Sequence, residues 1–327
     1  MALLENCPAY QPTPLVSLVD LQTELGVGAL WVKDETGRMG LGSFKALGGV
    51  FAVAQMLAED AGTTDLLSEC ALAQAGEKTF ITASAGNHGL SVATGARLFG
   101  ARGVIVLNRS VSEAFADRVR KAGGEVIRVD GSYEESVCYA MEAANKNNWL
   151  LLADGSWDGY TKRPALVMEG YTVLAEECRS AFAAAGNWPT HVFLQAGVGG
   201  LAAAVAANIR EHWQVQPKII VVEPETASCL QASVEAGLLT RVDGQASNMG
   251  RLDCKIPSLL AFESLRMDAD VFVTVSDRDA TAAAKLYADH GVMTTPSGGA
   301  SLAALKSFRP GYESRCLLIA TEGPEAV

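Results

Sequence analysis

From residue 78 onward the sequence alternates between short apolar β-rich runs and helical segments, and this alternation is the feature that most constrains the fold. Strands that alternate with helices predict βαβ units and parallel sheets. The predicted strands are residues 78–83, 103–107, 125–129, 149–153, 191–195, 218–222, 271–275 and 316–320. The predicted helices are residues 89–99, 112–122, 132–146, 168–185, 201–212, 277–290 and 301–307. The sequence therefore predicts an α/β fold with open, mostly parallel sheets flanked by helices.

The alternation falls into two blocks, and we interpret these as two domains. Residues 47–155 are predicted to form a small domain, and residues 1–46 together with 156–327 a large domain. The first 46 residues contribute a proline-containing extended segment, a predicted helix over 16–25 and a predicted strand over 29–35. A chain of 327 residues that is 49% apolar is large enough for two such cores.

Charge and cysteine usage exclude several classes of function. The net charge of −11 argues against nucleic acid as a partner. The seven cysteines are dispersed and form no CxxC pair, which predicts neither a disulfide framework nor a metal site and fits a reducing cytoplasm. The N-terminus has no basic region typical of a signal peptide, and no apolar run reaches the roughly 18 residues of a membrane span. We therefore expect a cytoplasmic protein without a membrane partner.

One lysine, Lys45, lies in the otherwise uncharged, glycine-rich run of residues 41–49. Apolar residues at helical spacing follow it, so Lys45 is predicted near the start of a helix. A desolvated lysine at a helix N-terminus is expected to have a lowered pKa, and a neutral amine can attack an aldehyde. The alternative is a first-turn lysine that points into solvent, as most lysines do.

The loop Gly197-Val198-Gly199-Gly200-Leu201-Ala202 follows one predicted strand and opens the next helix. Backbone N–H groups and the positive end of a helix at such a loop favour an anion, most often a phosphate. The spacing also satisfies G-x-G-x-x-A, and Glu223 ends the next strand where a dinucleotide-binding fold places its ribose-binding carboxylate. The loop alone thus fits a nicotinamide cofactor as well as an isolated phosphate.

Three further glycine-containing segments follow predicted strands or open helices, at residues 84–89, 295–301 and 320–323. In the first of these, Asn87 offers both a donor and an acceptor, and the flanking glycines let a flat ligand approach the backbone. A capped helix start explains this segment equally well, and His88 could be structural or catalytic. Together the segments place hydroxyls and glycines at the carboxyl ends of parallel strands, where open α/β sheets bind ligands.

These motifs together resemble the fold-type II, tryptophan-synthase-β-like family of pyridoxal-phosphate (PLP) enzymes, over essentially the whole chain. Ser-Phe-Lys at residues 43–45, Ser-Ala-Gly-Asn-His at 84–88 and Gly-Val-Gly-Gly at 197–200 occur in the family order. Within the family the sequence is most similar to the diaminopropionate ammonia-lyase group, through motifs at residues 34–35, 40–49, 86–89, 157–160, 168–171, 223–224 and 321–323. It departs from that group at Ala85, where the lyases carry the aspartate that is the expected base for a D-substrate.

The resemblance implies a role for each matching residue. Lys45 would hold the cofactor and act as the base at the substrate α-carbon, and Asp154 would hold a leaving β-ammonium group or act as a second base. The residues implied in cofactor binding are Lys45, Asn87 at the phenolic oxygen, Gly197, Val198, Gly199, Gly200 and Leu201 at the phosphate, and Thr321 at the pyridine nitrogen. The residues implied in substrate binding are Ser84, Ala85, Asn87 and Asp154.

We therefore predict a PLP-dependent ammonia-lyase that catalyses α,β-elimination on a β-substituted amino acid such as 2,3-diaminopropionate, giving pyruvate and ammonia. A serine or threonine dehydratase, a racemase, or a PLP-binding protein without catalysis on the same fold are alternatives. A nicotinamide oxidoreductase built on residues 197–202 and Glu223 is a further alternative, but it leaves Lys45 and Asn87 without a role. The expected partner is a small amino acid, no metal is expected, and homodimers are usual in the family.

Overall fold

The computed structural model describes residues 2–5 and 7–324, and its strands form two separate sheets. The strands of the larger sheet are β1 Leu15–Ser17, β2 Ala29–Asp34, β7 His191–Gln195, β8 Lys218–Pro224, β9 Val271–Val275 and β10 Arg315–Ala320. Their order in the sheet is β1-β2-β10-β7-β8-β9. They are parallel except for β1, which pairs antiparallel with β2. The prediction of open, mostly parallel sheets is confirmed.

The strands of the smaller sheet are β3 Thr79–Ala83, β4 Arg102–Asn108, β5 Glu125–Val129 and β6 Leu150–Leu151. This sheet is entirely parallel and has the order β5-β4-β3-β6. The α-helices are α1 Ala2–Glu5, α2 Val19–Leu25, α3 Lys45–Ala61, α4 Glu69–Ala75, α5 Asn87–Leu98, α6 Glu113–Lys121, α7 Tyr133–Asn147, α8 Lys162–Ala185, α9 Gly200–His212, α10 Cys229–Ala236, α11 Leu259–Asp268, α12 Asp277–Asp289 and α13 Pro296–Phe308. A 3₁₀ turn covers Arg38–Gly40.

The central strands are buried on both faces, as parallel strands covered by helices must be. All five residues of β3 are buried, and in β8 only Lys218 at the first position is exposed. This explains why their sequences are nearly continuous apolar runs rather than alternating patterns.

Helix α3 packs tightly against both α5 and α8, and its first turn carries Lys45. The packing is close because the helix has two glycines in succession. A Cβ at Gly48 would lie 2.3 Å from Tyr171 Cε1 on α8, and a Cβ at Gly49 would lie 1.9 Å from Ser91 Oγ on α5. The glycines beside Lys45 are thus required by helix packing, a structural reason that the sequence did not reveal.

A buried ionic cluster holds the loop that leads from β2 to α3. Arg38 is fully buried and makes two hydrogen bonds of 2.7 Å to the Glu35 carboxylate and two of 2.8 Å to that of Glu177 on α8. Lys33 donates to the same Glu177 carboxylate at 2.5 Å. Asp34 instead accepts hydrogen bonds from the backbone and hydroxyl of Thr36. Buried charges are stable only when paired in this way, so the cluster fixes the loop geometry ahead of Lys45.

Several predicted boundaries were wrong. The predicted helix over 16–25 begins only at Val19, because Leu15–Ser17 pair with β2 as a short edge strand. The predicted strand over 149–153 is reduced to Leu150–Leu151, because only these residues pair with β3. The last predicted helix, 301–307, begins five residues earlier at Pro296, capped by Thr295. Helices α1, α4, α10 and α11 were not predicted at all.

The predicted division into residues 47–155 and the rest remains a prediction. The strands of the smaller sheet all lie within residues 79–151, and those of the larger sheet lie on either side of that range. The predicted boundary between residues 46 and 47 falls in the first turn of α3. Among the described residues, no helix combines the length and the apolar character needed to cross a membrane.

Candidate active site

Loops at the carboxyl ends of strands from both sheets contribute the predicted site residues. Residues 84–86 connect β3 to α5, residues 196–199 connect β7 to α9, and Thr321 follows β10. The backbone N–H of Phe44 donates to the Thr321 carbonyl oxygen at 3.1 Å, which joins the Lys45 turn to the end of β10. The carboxyl edge of a parallel sheet is where α/β proteins bind ligands.

Lys45 and Asp154 form a direct ion pair. The Lys45 Nζ lies 2.6 Å from Asp154 Oδ2, and the two side chains are 22% and 27% exposed, so the pair is partly accessible to solvent. The Lys45 amine also lies 5.4 Å from the centroid of the Phe44 ring and 5.6 Å from that of Tyr171, and the two rings contact edge to face. Asp154 is the acidic residue that the structure brings to the predicted catalytic lysine.

The ion pair reverses the predicted pKa shift of Lys45. Burial lowers the pKa of the lysine, but the Asp154 carboxylate and the Tyr171 phenol outweigh burial, so the pKa is raised above its ordinary value. For Asp154, burial acts to raise the pKa, and the charges of Lys45 and His88 nevertheless hold it below the usual range. Burial raises the pKa of Tyr171 to about 12, against the opposing charge of Lys45. The prediction of a lowered lysine pKa was wrong, because it considered the helix terminus and not a carboxylate 109 residues away.

The glycine loop before α9 has the form of an anion cradle. Gly199 has φ +96°, and a Cβ there would lie 2.8 Å from Leu230 Cδ1 and 2.9 Å from Ala261 Cβ. A Cβ at Gly197 would lie 3.0 Å from both the Arg251 carbonyl oxygen and Cys254 Sγ. Among the described residues, no side chain caps the N-terminus of α9 and no acidic residue lies in its first turn. Backbone N–H groups and the helix dipole are therefore directed at the loop, which fits a phosphate group.

Asn87 is connected to the end of β10 through a carboxylate. Its side-chain amide donates to Glu322 Oε2 at 2.5 Å, and Thr295 donates to Glu322 Oε1 at 2.7 Å. The guanidinium of Arg251 approaches the same carboxylate, with Nε 3.6 Å from Oε2. Glu322 is only 6% exposed. Its buried carboxylate therefore fixes the position of the Asn87 side chain through this hydrogen bond.

Thr321 presents a neutral hydroxyl at the carboxyl end of β10. It is 4% exposed, and its Oγ1 accepts a 3.3 Å hydrogen bond from Gln195 Nε2 at the end of β7. The Gln195 amide also donates to the Ile319 carbonyl oxygen at 2.8 Å. A hydroxyl held in this way can form a hydrogen bond to a ring nitrogen without transferring a full charge to it.

The remaining residues of the loop over 84–88 have clear structural roles. Ser84 Oγ accepts hydrogen bonds from the backbone N–H groups of Gly86 and Gly89, which folds the loop onto the start of α5. His88 is buried, and its Nε2 lies 2.8 Å from the Leu152 carbonyl oxygen. Burial lowers the pKa of His88. The structure thus favours a structural role for His88 over a catalytic one. Ala85 is partly exposed at the loop and brings no acidic group.

Glu223 does not occupy the position of a ribose-binding carboxylate. It is fully buried, and its two carboxylate oxygens accept 2.8 Å hydrogen bonds from the backbone N–H groups of Leu230 and Gln231 at the start of α10. The side chain therefore caps a helix that the sequence analysis did not predict. The nicotinamide oxidoreductase alternative required Glu223 as a ribose-binding carboxylate, and Glu223 instead binds the backbone of α10.

The family model described as "pyridoxal-phosphate dependent enzyme" matches residues 7–322 of this chain. The chain belongs to this family. Among curated proteins, the diaminopropionate ammonia-lyase of Escherichia coli strain K12 is 37% identical over 322 residues, covering 95% of this chain and 81% of that protein. The similarity makes this chain a PLP-dependent carbon–nitrogen lyase, as predicted, with pyridoxal phosphate as its cofactor.

Solved structures of PLP enzymes agree with the fold described above. The holo diaminopropionate ammonia lyase from Escherichia coli has a TM-score of 0.87 at 31% identity, over 98% of this chain and 87% of that chain. The same enzyme in complex with D-serine has a TM-score of 0.84 at 29% identity, over 99% of this chain and 89% of that chain. The predicted fold-type II architecture is confirmed.

Three residues at the site of this PLP enzyme were given no role in the sequence analysis. Tyr171 and Glu322 lie in motifs that were recognised, and their nearness to Lys45 and Asn87 was visible only after folding. Arg251 lies in a polar segment without periodicity, and nothing in the sequence distinguishes it from its neighbours.

Proposed function

We propose that this PLP enzyme is an ammonia-lyase for an L-amino acid with a β-amino group, such as L-2,3-diaminopropionate. The reaction removes the α-proton and the β-ammonia, and water then hydrolyses the released aminoacrylate to pyruvate and a second ammonia. The observation that carries this proposal is the 2.6 Å contact between Lys45 Nζ and Asp154 Oδ2. A carboxylate that already accepts an ammonium group at this partly exposed position has the charge that a β-amino substrate requires.

The residues fit the cofactor on two grounds: the glycine cradle before α9, whose first turn carries no acidic side chain, and the buried neutral hydroxyl of Thr321. The Asn87 amide lies at the start of α5 and donates to Glu322. When bound, PLP supplies an electron sink for negative charge at the α-carbon. In our proposal the backbone of residues 197–201 would hold the phosphate, Thr321 would serve the ring nitrogen and Asn87 the phenolic oxygen. Lys45 would hold the cofactor through Nζ. Because the ion pair with Asp154 keeps the free amine protonated, Lys45 must lose this proton before it can take the proton from the α-carbon.

Asp154 is proposed to neutralise the β-ammonium group of the substrate. A cation carried into a partly buried cleft costs several kcal/mol unless an opposite charge meets it. Asp154 supports this role because its pKa is held below the usual range, so it stays ionised. Asp158, four residues further on, is exposed to solvent.

The proposed preference for the L-enantiomer rests on Ala85. An enzyme that acts on both enantiomers needs a base on each face of the α-carbon, and the residue at position 85 cannot supply one. The same residue makes the loop resemble that of serine and threonine dehydratases, so L-serine is the second candidate substrate.

The proposal is tested by measuring 2-oxo acid release from L- and D-diaminopropionate, L-serine and L-threonine. In Asp154→Asn we expect kcat/KM for L-diaminopropionate to fall about 10- to 100-fold, the value of one lost charge-assisted hydrogen bond, with a much smaller change for L-serine. Asp158→Asn is the matched control and should leave both substrates unaffected. Equal losses on both substrates would point to a structural role for Asp154, and efficient turnover of D-diaminopropionate would exclude the single-base argument.

We further propose that the enzyme is a cytoplasmic homodimer, with residues 1–46 and 156–327 as the large domain and 47–155 as the small one. The seven free cysteines support a reducing compartment. The homodimer is supported by what is usual in the family. Size-exclusion chromatography with light scattering tests the dimer, and limited proteolysis tests the domain boundaries.

A further inference from the structure

Tyr171 lies beside Lys45, where α8 packs against both α3 and α9. It is only 1% exposed. Its Cε1 is 2.3 Å from the position that a Cβ at Gly48 would take, one turn after Lys45, and its Cε2 is 3.7 Å from the corresponding position at Gly200. The ring also contacts Phe44 edge to face, with the two centroids 4.9 Å apart. A ring enclosed on these sides cannot swing into solvent, so the place of its hydroxyl group is fixed.

The Tyr171 hydroxyl group is buried and has unused hydrogen-bonding capacity. Over residues 2–5 and 7–324, no atom forms a hydrogen bond of ordinary geometry with it. Burying such a group costs free energy, and native structures contain few of them. The Lys45 amine lies 5.6 Å from the centroid of the Tyr171 ring, and the phenol raises the pKa of this amine. An acceptor oxygen is therefore available beside the lysine.

Asp154 and Tyr171 are the two groups that raise the pKa of the Lys45 amine. The other titratable groups that interact with this amine electrostatically are His88, Tyr133 and Cys254. Burial raises the pKa of Tyr171 to about 12, so its phenol stays neutral. In the proposed function the β-ammonium group of the substrate takes over Asp154. The amine then loses the acceptor that holds it at 2.6 Å, and the phenol is the second acceptor that it keeps.

We propose that Tyr171 is a positioning residue whose hydroxyl oxygen accepts a hydrogen bond from Lys45 Nζ while the amine acts on the α-proton. The proposal rests on the proposed function, because it takes Lys45 as the base and Asp154 as the partner of the β-ammonium group. A phenol oxygen accepts an N–H through its own lone pair, which leaves the nitrogen lone pair of the amine for the α-proton. Once the amine has taken that proton, the same oxygen holds the ammonium form.

Tyr171→Phe tests the proposal, because it removes the hydroxyl group and keeps the ring. If the hydroxyl has no partner during the reaction, its removal should leave activity unchanged and the unfolding midpoint the same or higher. With the best substrate of the panel above, we instead expect kcat to fall about 10-fold and KM to change less than about twofold, the effect of one hydrogen bond lost in the transition state. The primary isotope effect of the α-deuterated substrate should rise, because removal of the α-proton becomes slower.

Tyr287→Phe is the matched control, because Tyr287 on α12 is also fully buried and its hydroxyl also lacks a hydrogen-bond partner among the described residues. This control should leave kcat, KM and the isotope effect unchanged.

A second measurement needs no turnover. The full chain freed of PLP is acetylated at a fixed pH, and labelling of Lys45 is followed by peptide mass spectrometry, with the surface residue Lys78 as internal reference. Only the neutral amine reacts, so labelling of Lys45 should be about 3- to 10-fold faster in Tyr171→Phe. The increase should be larger in the Asp154→Asn background, where the phenol is the remaining acceptor.

The proposal requires both changes, so an unchanged isotope effect or an unchanged labelling rate in Tyr171→Phe would overturn it. Failure of the wild type to turn over any β-amino substrate, with both effects of Tyr171→Phe intact on L-serine, would refute the proposed function alone.

Discussion

Replacing Gly199 with alanine tests whether the phosphate loop is built around a glycine. The residue has φ +96°, and an added Cβ would lie 2.8 Å from Leu230 Cδ1 and 2.9 Å from Ala261 Cβ. Leu230 and Ala261 are both fully buried, so neither can move into solvent. Gly311 offers a matched control, because it has φ +95° and nothing within 4 Å of its Cβ position. The two substitutions share the backbone strain and differ only in packing.

The expected magnitudes follow from this difference. An L-residue in the left-handed region costs about 1–2 kcal/mol, and this applies at both positions. Overpacking a closed interior costs about 1–3 kcal/mol more, and it applies only at Gly199. We therefore expect the free energy of unfolding to fall by about 2–5 kcal/mol in Gly199→Ala and by about 1–2 kcal/mol in Gly311→Ala.

The assay is denaturant unfolding of both variants, without and with added PLP, together with PLP titration. Gly199→Ala should also weaken PLP binding, while Gly311→Ala should bind PLP like the wild type. Gly199→Asp should bind PLP more weakly still, because it adds negative charge where a phosphate is expected. Equal destabilisation by the two alanine substitutions would show that Leu230 and Ala261 move aside and accommodate the added methyl group. Unchanged PLP affinity in Gly199→Asp would show that the phosphate binds elsewhere.

Three further predictions concern Lys45 and its helix. Lys45→Ala should abolish 2-oxo acid release while circular dichroism shows a folded protein, and near wild-type activity would remove the lysine from the mechanism. Gly49→Ala should destabilise the protein by about 1–3 kcal/mol in denaturant unfolding, and adding Ser91→Gly should restore part of this, because the new methyl group would overlap the Ser91 side chain; purely additive effects would contradict the contact. The pKa of the Asp154 carboxyl is lower in the folded protein than in the unfolded chain, where it is about 3.9. The ionised carboxylate should therefore stabilise the fold fully at pH values above about 3.9, and this stabilisation should be lost as the pH falls through the pKa of the folded state. The stability difference between wild type and Asp154→Asn should therefore shrink at acidic pH, and a difference that grows there would show that the sign is wrong.

The sequence predicted the elements that have strong local signals. Strands β5, β7 and β9 were predicted with their observed bounds, because each is a short run with β-branched or aromatic residues that ends shortly before a helix or a glycine loop. Helix α11 was missed although Leu259–Asp268 has apolar residues at helical spacing and Ser258 before it. Strand β1 could not be predicted, because three residues become a strand only by pairing with β2.

The sequence alone determined the parallel α/β architecture, the position of Lys45 at a helix start and the glycine loop before α9. These follow from local patterns: apolar periodicity, clustered glycines and motif order. The tertiary structure decided which charges meet. Lys45 pairs with Asp154 across 109 residues, and Asn87 meets Glu322 across 235. Electrostatic energy depends on distance in space rather than in sequence, which is why the sign of the Lys45 pKa shift and the position of Arg251 emerged only from the folded chain.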